Sequence, residues 1–246
     1  AQFIVMSILV MRIFVTKKEN VLKGIQLFEK IPPKYVRGIC KIGIPTALQG
    51  MAYCMISMVL TRMVSGFGAE AIATQRVGGQ IESVSWNTAD GFGAALNAFI
   101  GQNYGAGKMD RVKKGYRASL ITVGVWGLFI TLLFVCFPEQ ISGVFFHEPT
   151  AIATAVGYMI IIGYSEAFMS VELMTVGALS GLGKTHLCSV ISITLTSARI
   201  PLAIFLSGTA LGLLGIWWAL TATSVVKGIV FVMAFYWITA RMRNSK

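Results

Sequence analysis

The chain has 246 residues, of which 55% are hydrophobic and 13% charged, with a formal net charge of +11 and a mean hydropathy of +0.72. Soluble domains carry about 25% charged residues, so the composition excludes an ordinary soluble domain and calls for an all-α polytopic transmembrane helical bundle. The basic residues fall in short clusters between apolar runs, which excludes a nucleic-acid partner and fits the cytoplasmic enrichment of Lys and Arg in proteins of the lipid bilayer.

The chain opens inside an apolar run, and a bilayer crossing needs about 20 residues. Residues 1–15 therefore read as the end of a truncated transmembrane helix. Residues 16–41 follow as a basic cytoplasmic linker containing Lys17, Lys18, Lys23, Lys30, Lys34, Arg37 and Lys41. Within it Val21, Leu22, Ile25, Leu27 and Phe28 are spaced for a short amphipathic helix on the membrane surface. Residues 42–243 then form a six-helix transmembrane bundle, with spans at about 42–64, 70–103, 115–137, 150–182, 187–206 and 213–240.

Hydropathy alone would reject the second of these spans, because 70–103 holds Glu70, Arg76, Glu82 and Asp90. Charge parity requires it. The basic segments 16–41 and 108–117 both belong on the cytoplasmic side, and one clear span between them demands a second crossing whose polar face is hidden from lipid. The loop 138–149 has Glu139, His147 and Glu148 without Lys or Arg, and reads as external. Lys184 and His186 mark an internal turn, 207–212 an external one, and Arg241, Arg243 and Lys246 an internal tail. Pro45 falls in the first turn of its span, and Trp217, Trp218 and Trp237 sit where an aromatic belt would.

Four cysteines, Cys40, Cys54, Cys136 and Cys188, show no metal-ligand spacing and read as small apolar residues. His147 and His186 lie in opposite loops, so no metal site is expected. Gly101/Gly105, Gly177/Gly181 and Gly208/Gly212 have the spacing of close helix packing. Gly183-Lys184-Thr185 lacks both the upstream glycine and the strand of a phosphate loop. No Ser-His-Asp or HExxH constellation is present, so an enzyme is not expected.

The informative residues are charges inside spans. Glu172 lies about ten residues, or about 15 Å, from the cytoplasmic end of its helix. A charged carboxylate at that depth costs about 2.5–3.5 kcal/mol. It either binds a proton or sodium ion or serves as a structural partner, for instance of Arg199 on the next span. Glu166 is six residues earlier and rotated about 240° from it, so the two do not share a narrow face. Glu82 and Asp90 are about 80° apart around their helix and share a polar face with Trp86 and Asn87. That face lines a cavity, or else Arg76 pairs with Glu82 as a packing device. Arg199 precedes Pro201, which frees a backbone carbonyl; it either caps such carbonyls or acts on substrate.

In order, Gly43-Ile-Pro-Thr-Ala-Leu-Gln49, Ala73-Thr-Gln-Arg-Val-Gly-Gly-Gln-Ile81, Gly91-Phe-Gly-Ala-Ala95 through Gly101-Gln-Asn-Tyr-Gly-Ala-Gly107, Gly177-Ala-Leu-Ser-Gly-Leu-Gly-Lys-Thr185 and Arg199-Ile-Pro201 resemble the multidrug and toxic compound extrusion (MATE) family. The likeness runs over about residues 42 to 243. It implies a twelve-helix antiporter of two six-helix bundles, with this chain as the C-terminal bundle and a missing N-terminal six-helix half as its partner. Small organic cation substrates would leave in exchange for protons or sodium, by alternating access at a cleft between the bundles.

The setting implied is the plasma (inner) membrane of a bacterial cell, with no cofactor besides the coupling ion, H+ or Na+. Where NorM-type members carry a glutamate in helix seven, this chain has Tyr53, and their helix-ten aspartate falls at Met169, one turn before Glu172. The coupling candidates are then Glu172, Asp90, Glu82 and Glu166, with Glu172 as the displaced equivalent. The substrate-cavity candidates are Tyr53, Gln49, Trp86, Asn87, Met169 and Arg199. The alternative is a lipid-linked oligosaccharide or polysaccharide flippase of the same superfamily, which would need a cationic cavity; here the cavity residues are expected to be mostly acidic. A non-transporting scaffold would have no use for buried acids.

Overall fold

The computed structural model describes residues 6–8, 11 and 32–244. Most of the expected truncated helix, the surface helix at 21–28 and Lys246 lie outside the described residues. From Ile42 onward the described residues form one compact unit, which carries the cavity and the packing around it. The elements are α1 (Pro33–Ser65), α2 (Ala69–Gly105), α3 (Met109–Cys136), α4 (Pro138–Phe145), α5 (Pro149–Gly181), α6 (Thr185–Ser197), α7 (Arg199–Ser207) and α8 (Leu213–Asn244). No strand occurs among the described residues.

Five helical stretches are long and apolar enough to cross a membrane, with α6 and α7 counted together as one. The chain is a multi-pass membrane protein. Helix α2 fails that test of composition, and its surroundings explain why it can still be accommodated. It packs against α5 and α3, and a stripe from Ala71 through Gly78, Glu82, Ala89 and Gly93 to Ile100 is buried. These positions recur every four or seven residues, one face of an α-helix. Helix α3 shows the opposite arrangement, with Ile121, Val125, Leu128 and Leu132 exposed on one face, as a surface toward lipid tails requires.

Helix α5 is the hub. It packs against α2, α3, α8 and the short α4. Lipid removes the usual hydrophobic drive between helices, so close backbone approach carries the association. A Cβ placed on Gly177 would run into the backbone of Gly93 on α2, and one on Gly181 would lie 2.6 Å from the Asn97 carbonyl oxygen. On the other sides of α5, a Cβ on Gly127 of α3 would lie 2.6 Å from Ala167 Cα, and one on Gly228 of α8 would lie 2.7 Å from the Phe168 carbonyl oxygen. Of the GxxxG pairs, Gly177/Gly181 is therefore a helix seam. Gly105 meets nothing within 4 Å, so it contributes no such contact.

Two turns use the same device. Helix α2 ends at Gly105-Ala-Gly107-Lys108 and α5 at Gly181-Leu-Gly183-Lys184. Gly107 and Gly183 have φ of 74° and 72°, a region where a Cβ is strained. This lets the Lys108 and Lys184 N–H groups donate back to the carbonyls of Asn103 and Leu179, at 2.8 Å and 2.9 Å, closing the last turn.

Several boundaries differ from the sequence-based expectation. Pro33 starts α1, where its missing N–H costs nothing, so 33–41 are helical rather than linker and Pro45 is interior to the helix. The basic run at Arg111, Lys113 and Lys114 belongs to α3, consistent with the good helix propensity of Lys and Arg. The loop 138–149 contains α4, opened by Pro138 at its first position. The span 187–206 is broken at Ala198: Pro201 has no N–H to offer the Ser197 carbonyl, so the ladder stops there. Trp217 does not join an aromatic belt. It is fully buried, edge-on to Tyr158 at 5.0 Å, while Trp218 and Trp237 are exposed.

Apolar clusters close the unit at both ends. Ile100, Val112, Tyr116, Leu179, Phe231 and Phe235 pack beside the two glycine turns. Ile56, Leu60, Val64, Ala71, Ala203 and Ile216 pack at the opposite end. The polar side chains are left in the middle.

Candidate functional site

Between the two apolar clusters lies a cavity of about 1000 Å³. Helix periodicity aims its walls. Tyr158, Ile162, Ser165, Met169 and Glu172 follow one another at steps of four and three along α5. Ser192, Thr196 and Arg199 do the same across the α6–α7 break, and Leu220, Ser224 and Lys227 along α8. Helix α2 contributes Arg76, Glu82, Trp86, Asn87 and Asp90, and α1 contributes Gln49 and Tyr53. Every candidate residue drawn from the sequence faces this cavity except Glu166. Six residues from Glu172, it is turned away from the cavity wall and is fully buried.

The strongest contact at the site is an ion pair. Lys227 Nζ donates to Glu172 Oε1 at 2.8 Å, with both side chains under a tenth exposed. Burying two charges is compensated only when they meet in good geometry, and here they do. Arg199 on the next span was the partner considered for Glu172 from the sequence, and Lys227 was not singled out there. The partner is Lys227. Its steps of three from Ser224 and seven from Leu220, which place it on the cavity-facing side of α8, were the signal available.

Arg199 takes neutral partners instead. Its Nε donates to Thr223 Oγ1 at 3.0 Å and its Nη2 to Ser224 Oγ at 2.8 Å. Thr223 in turn donates to the Ala219 carbonyl at 2.8 Å, which fixes the hydroxyl that receives the guanidinium.

Glu82 is buried and accepts a short hydrogen bond from the Tyr158 hydroxyl. It makes no ion pair with Arg76, so that packing device is absent among the described residues. Glu166 lies close enough to Glu82 for the two charges to interact, with Ser85 and Trp86 beside it. Neither of its oxygens meets hydrogen-bond geometry. No Lys or Arg among the described residues reaches ion-pair distance of either carboxylate. Tyr158 was not named from the sequence, where an isolated tyrosine in an apolar span looks like core.

Acids do not dominate the cavity, contrary to expectation. Glu82, Asp90 and Glu172 are matched by Arg76, Arg199 and Lys227. Among the described residues no group of three or more His, Cys, Asp or Glu side chains assembles that could hold a metal ion. The cysteines are unpaired, with only Cys188 buried.

A family model, MatE, matches residues 45–205, well over half of the chain. The chain belongs to the MatE family. Members of the family are transporters and not enzymes. This MatE chain is 27% identical over 239 residues to a probable multidrug resistance protein NorM of Thermotoga maritima, covering 96% of the chain and 50% of that protein. It is 28% identical over 220 residues to a probable NorM of Pseudomonas aeruginosa, covering 84% and 44%. The chain thus spans about half the length of the curated relatives it matches.

The fold is similar to that of a crystal structure of MATE in a straight conformation, with a TM-score of 0.87, 17% identity and coverage of 98% of this chain and 55% of that one. It is also similar to a MOP superfamily transporter from Pyrococcus furiosus described as having a binding pocket of reversed polarity. There the TM-score is 0.84 with 18% identity, over 98% of this chain and 54% of that one.

Proposed function

We propose that this MatE chain is the C-terminal bundle of a secondary active exporter in a bacterial inner membrane. It exchanges organic substrates with a cationic group for protons or sodium, by alternating access between this bundle and an N-terminal one. The relatives named probable multidrug resistance proteins support the substrate class, and their double length supports the second bundle.

One observation carries the reading: Glu82 and Glu166 are buried within charge–charge reach of one another, and no basic side chain among the described residues lies at ion-pair distance of either. Two such carboxylates are costly inside a membrane, and a bound proton or sodium ion removes much of that cost. We assign the coupling ion to this pair and not to Glu172, whose charge Lys227 already balances. Loading the pair removes negative charge from the wall that also holds Trp86, Asn87 and Asp90, and so weakens the hold on a cationic group. Substrate and coupling ion then compete for one charged wall.

The test uses the full-length transporter in proteoliposomes under an imposed proton gradient or, separately, a sodium gradient. Glu82→Gln removes the charge and keeps the shape. Gradient-driven export should fall by about tenfold or more, since a hydrogen bond to a charged group is worth about 1.5–3 kcal/mol, while substrate binding without a gradient persists. Unchanged export under both gradients in E82Q and in E166Q would falsify the assignment.

A further inference from the structure

We propose that Arg199 is an anion subsite in this cavity, and that the substrate carries a carboxylate as well as a cationic group. The inference rests on the exporter reading above and narrows its substrate class.

Arg199 lines the cavity yet is only 7% exposed. A guanidinium has five N–H donors, and the side chains bonded to it, Thr223 and Ser224, are neutral and occupy one edge. The acids nearest in the cavity are otherwise engaged: an oxygen of Glu172 receives Lys227, and an oxygen of Glu82 receives the Tyr158 hydroxyl. No carboxylate among the described residues reaches ion-pair distance of Arg199. Its charge is instead felt by Tyr53, Glu82 and Lys227 around it.

Lys227 is thus paired to Glu172, while Arg199 is a buried cation on this part of the wall with no carboxylate at ion-pair distance among the described residues. On α2, Asp90 is an exposed carboxylate on the same cavity, again with no ion-pair partner among the described residues. A ligand complementary to both features is dipolar.

The kind of anion follows from geometry. A guanidinium whose edge is fixed by two hydroxyls offers its remaining donors in a planar fork, which matches a carboxylate with two parallel hydrogen bonds. Thr223 is itself anchored to the Ala219 carbonyl, so the fork is set before the ligand arrives and little ordering remains to be done on binding. A phosphate dianion fits worse, because Glu172 and Glu82 flank the same space.

The experiment compares rhodamine 123, a methyl ester with a net positive charge, and rhodamine 110, the corresponding free acid and a zwitterion. Binding to the full-length protein in detergent is read by fluorescence polarisation, and export is read in proteoliposomes. Wild type should bind the acid at least as tightly as the ester. Arg199→Gln should weaken the acid by about tenfold, the equivalent of about 1.4 kcal/mol, and the ester by less than about threefold; retained ester binding also reports that the variant is folded. Arg199→Lys, which keeps charge and loses the fork, should fall between them and serves if R199Q does not accumulate. Equal weakening of both dyes, or none, overturns the subsite even when both dyes are exported. If wild type moves neither dye under any gradient, the exporter reading fails and takes the subsite with it.

Discussion

Lys227→Met should be among the most damaging single substitutions in this chain. It leaves the Glu172 carboxylate buried without its cation, and removing one partner of a buried pair costs about 3–5 kcal/mol. The Glu172 Oε2 atom already lacks a hydrogen-bond partner, so no second donor is in place to take over. The companion expectation is more discriminating. Glu172→Met together with Lys227→Met replaces the pair by apolar side chains of similar length, and the double variant should recover most of the lost stability. Thermal unfolding of the full-length protein in detergent reads both. A double variant as unstable as K227M alone would mean that the damage comes from packing and not from stranded charge. The same double variant bears on coupling: if it still exports under an ion gradient in proteoliposomes, Glu172 is not the coupling site, in keeping with the assignment to Glu82 and Glu166.

Gly177→Leu should prevent the bundle from assembling. The position where a Cβ would sit on α5 is occupied by the backbone of Gly93 on α2, and neither backbone can yield without separating the helices. Overpacking in a core costs about 1–3 kcal/mol when side chains can shift; a seam of backbone against backbone has no such freedom, so the upper end or beyond is expected. Gly177→Ala should already lower the unfolding temperature, and G177L should lower accumulation in the membrane several-fold. Gly124→Ala is the control, since nothing lies within 4 Å of its Cβ position and the change favours helix by up to about 1 kcal/mol. A G177L protein as stable as G124A would show that the α2–α5 seam opens easily.

This seam also exposes a limit of sequence reasoning. The spacing of Gly101 and Gly105 suggested close packing as strongly as that of Gly177 and Gly181. In the structure the second pair sits against α2, while Gly105 meets open space. A repeat of small residues says that a helix can be approached closely; the neighbour decides whether it is. Helix α2 is the converse case. Its charges hide it from hydropathy, yet the positions of Lys and Arg in flanking segments called for a long helix there, because charge distribution across a membrane is a constraint on the chain as a whole. The structure has one over Ala69–Gly105.

The sequence by itself determined the family, the helical class and most of the charged residues of the cavity wall. These depend on local quantities: apolar length, the placement of basic residues, and the 3.6-residue period that sets Glu82, Trp86 and Asp90 on one face. It also singled out Glu172 and Arg199, because a charge in an apolar span is conspicuous wherever it sits. What it could not supply was pairing. Glu172 and Lys227 are 55 residues apart, and Arg199 was an equally good partner on paper. Only the packing of α8 against α5 brought the lysine to the carboxylate and left the arginine to two hydroxyls. The balance of charge in the cavity follows from that choice, because electrostatic energy depends on distances through space, which tertiary structure alone decides.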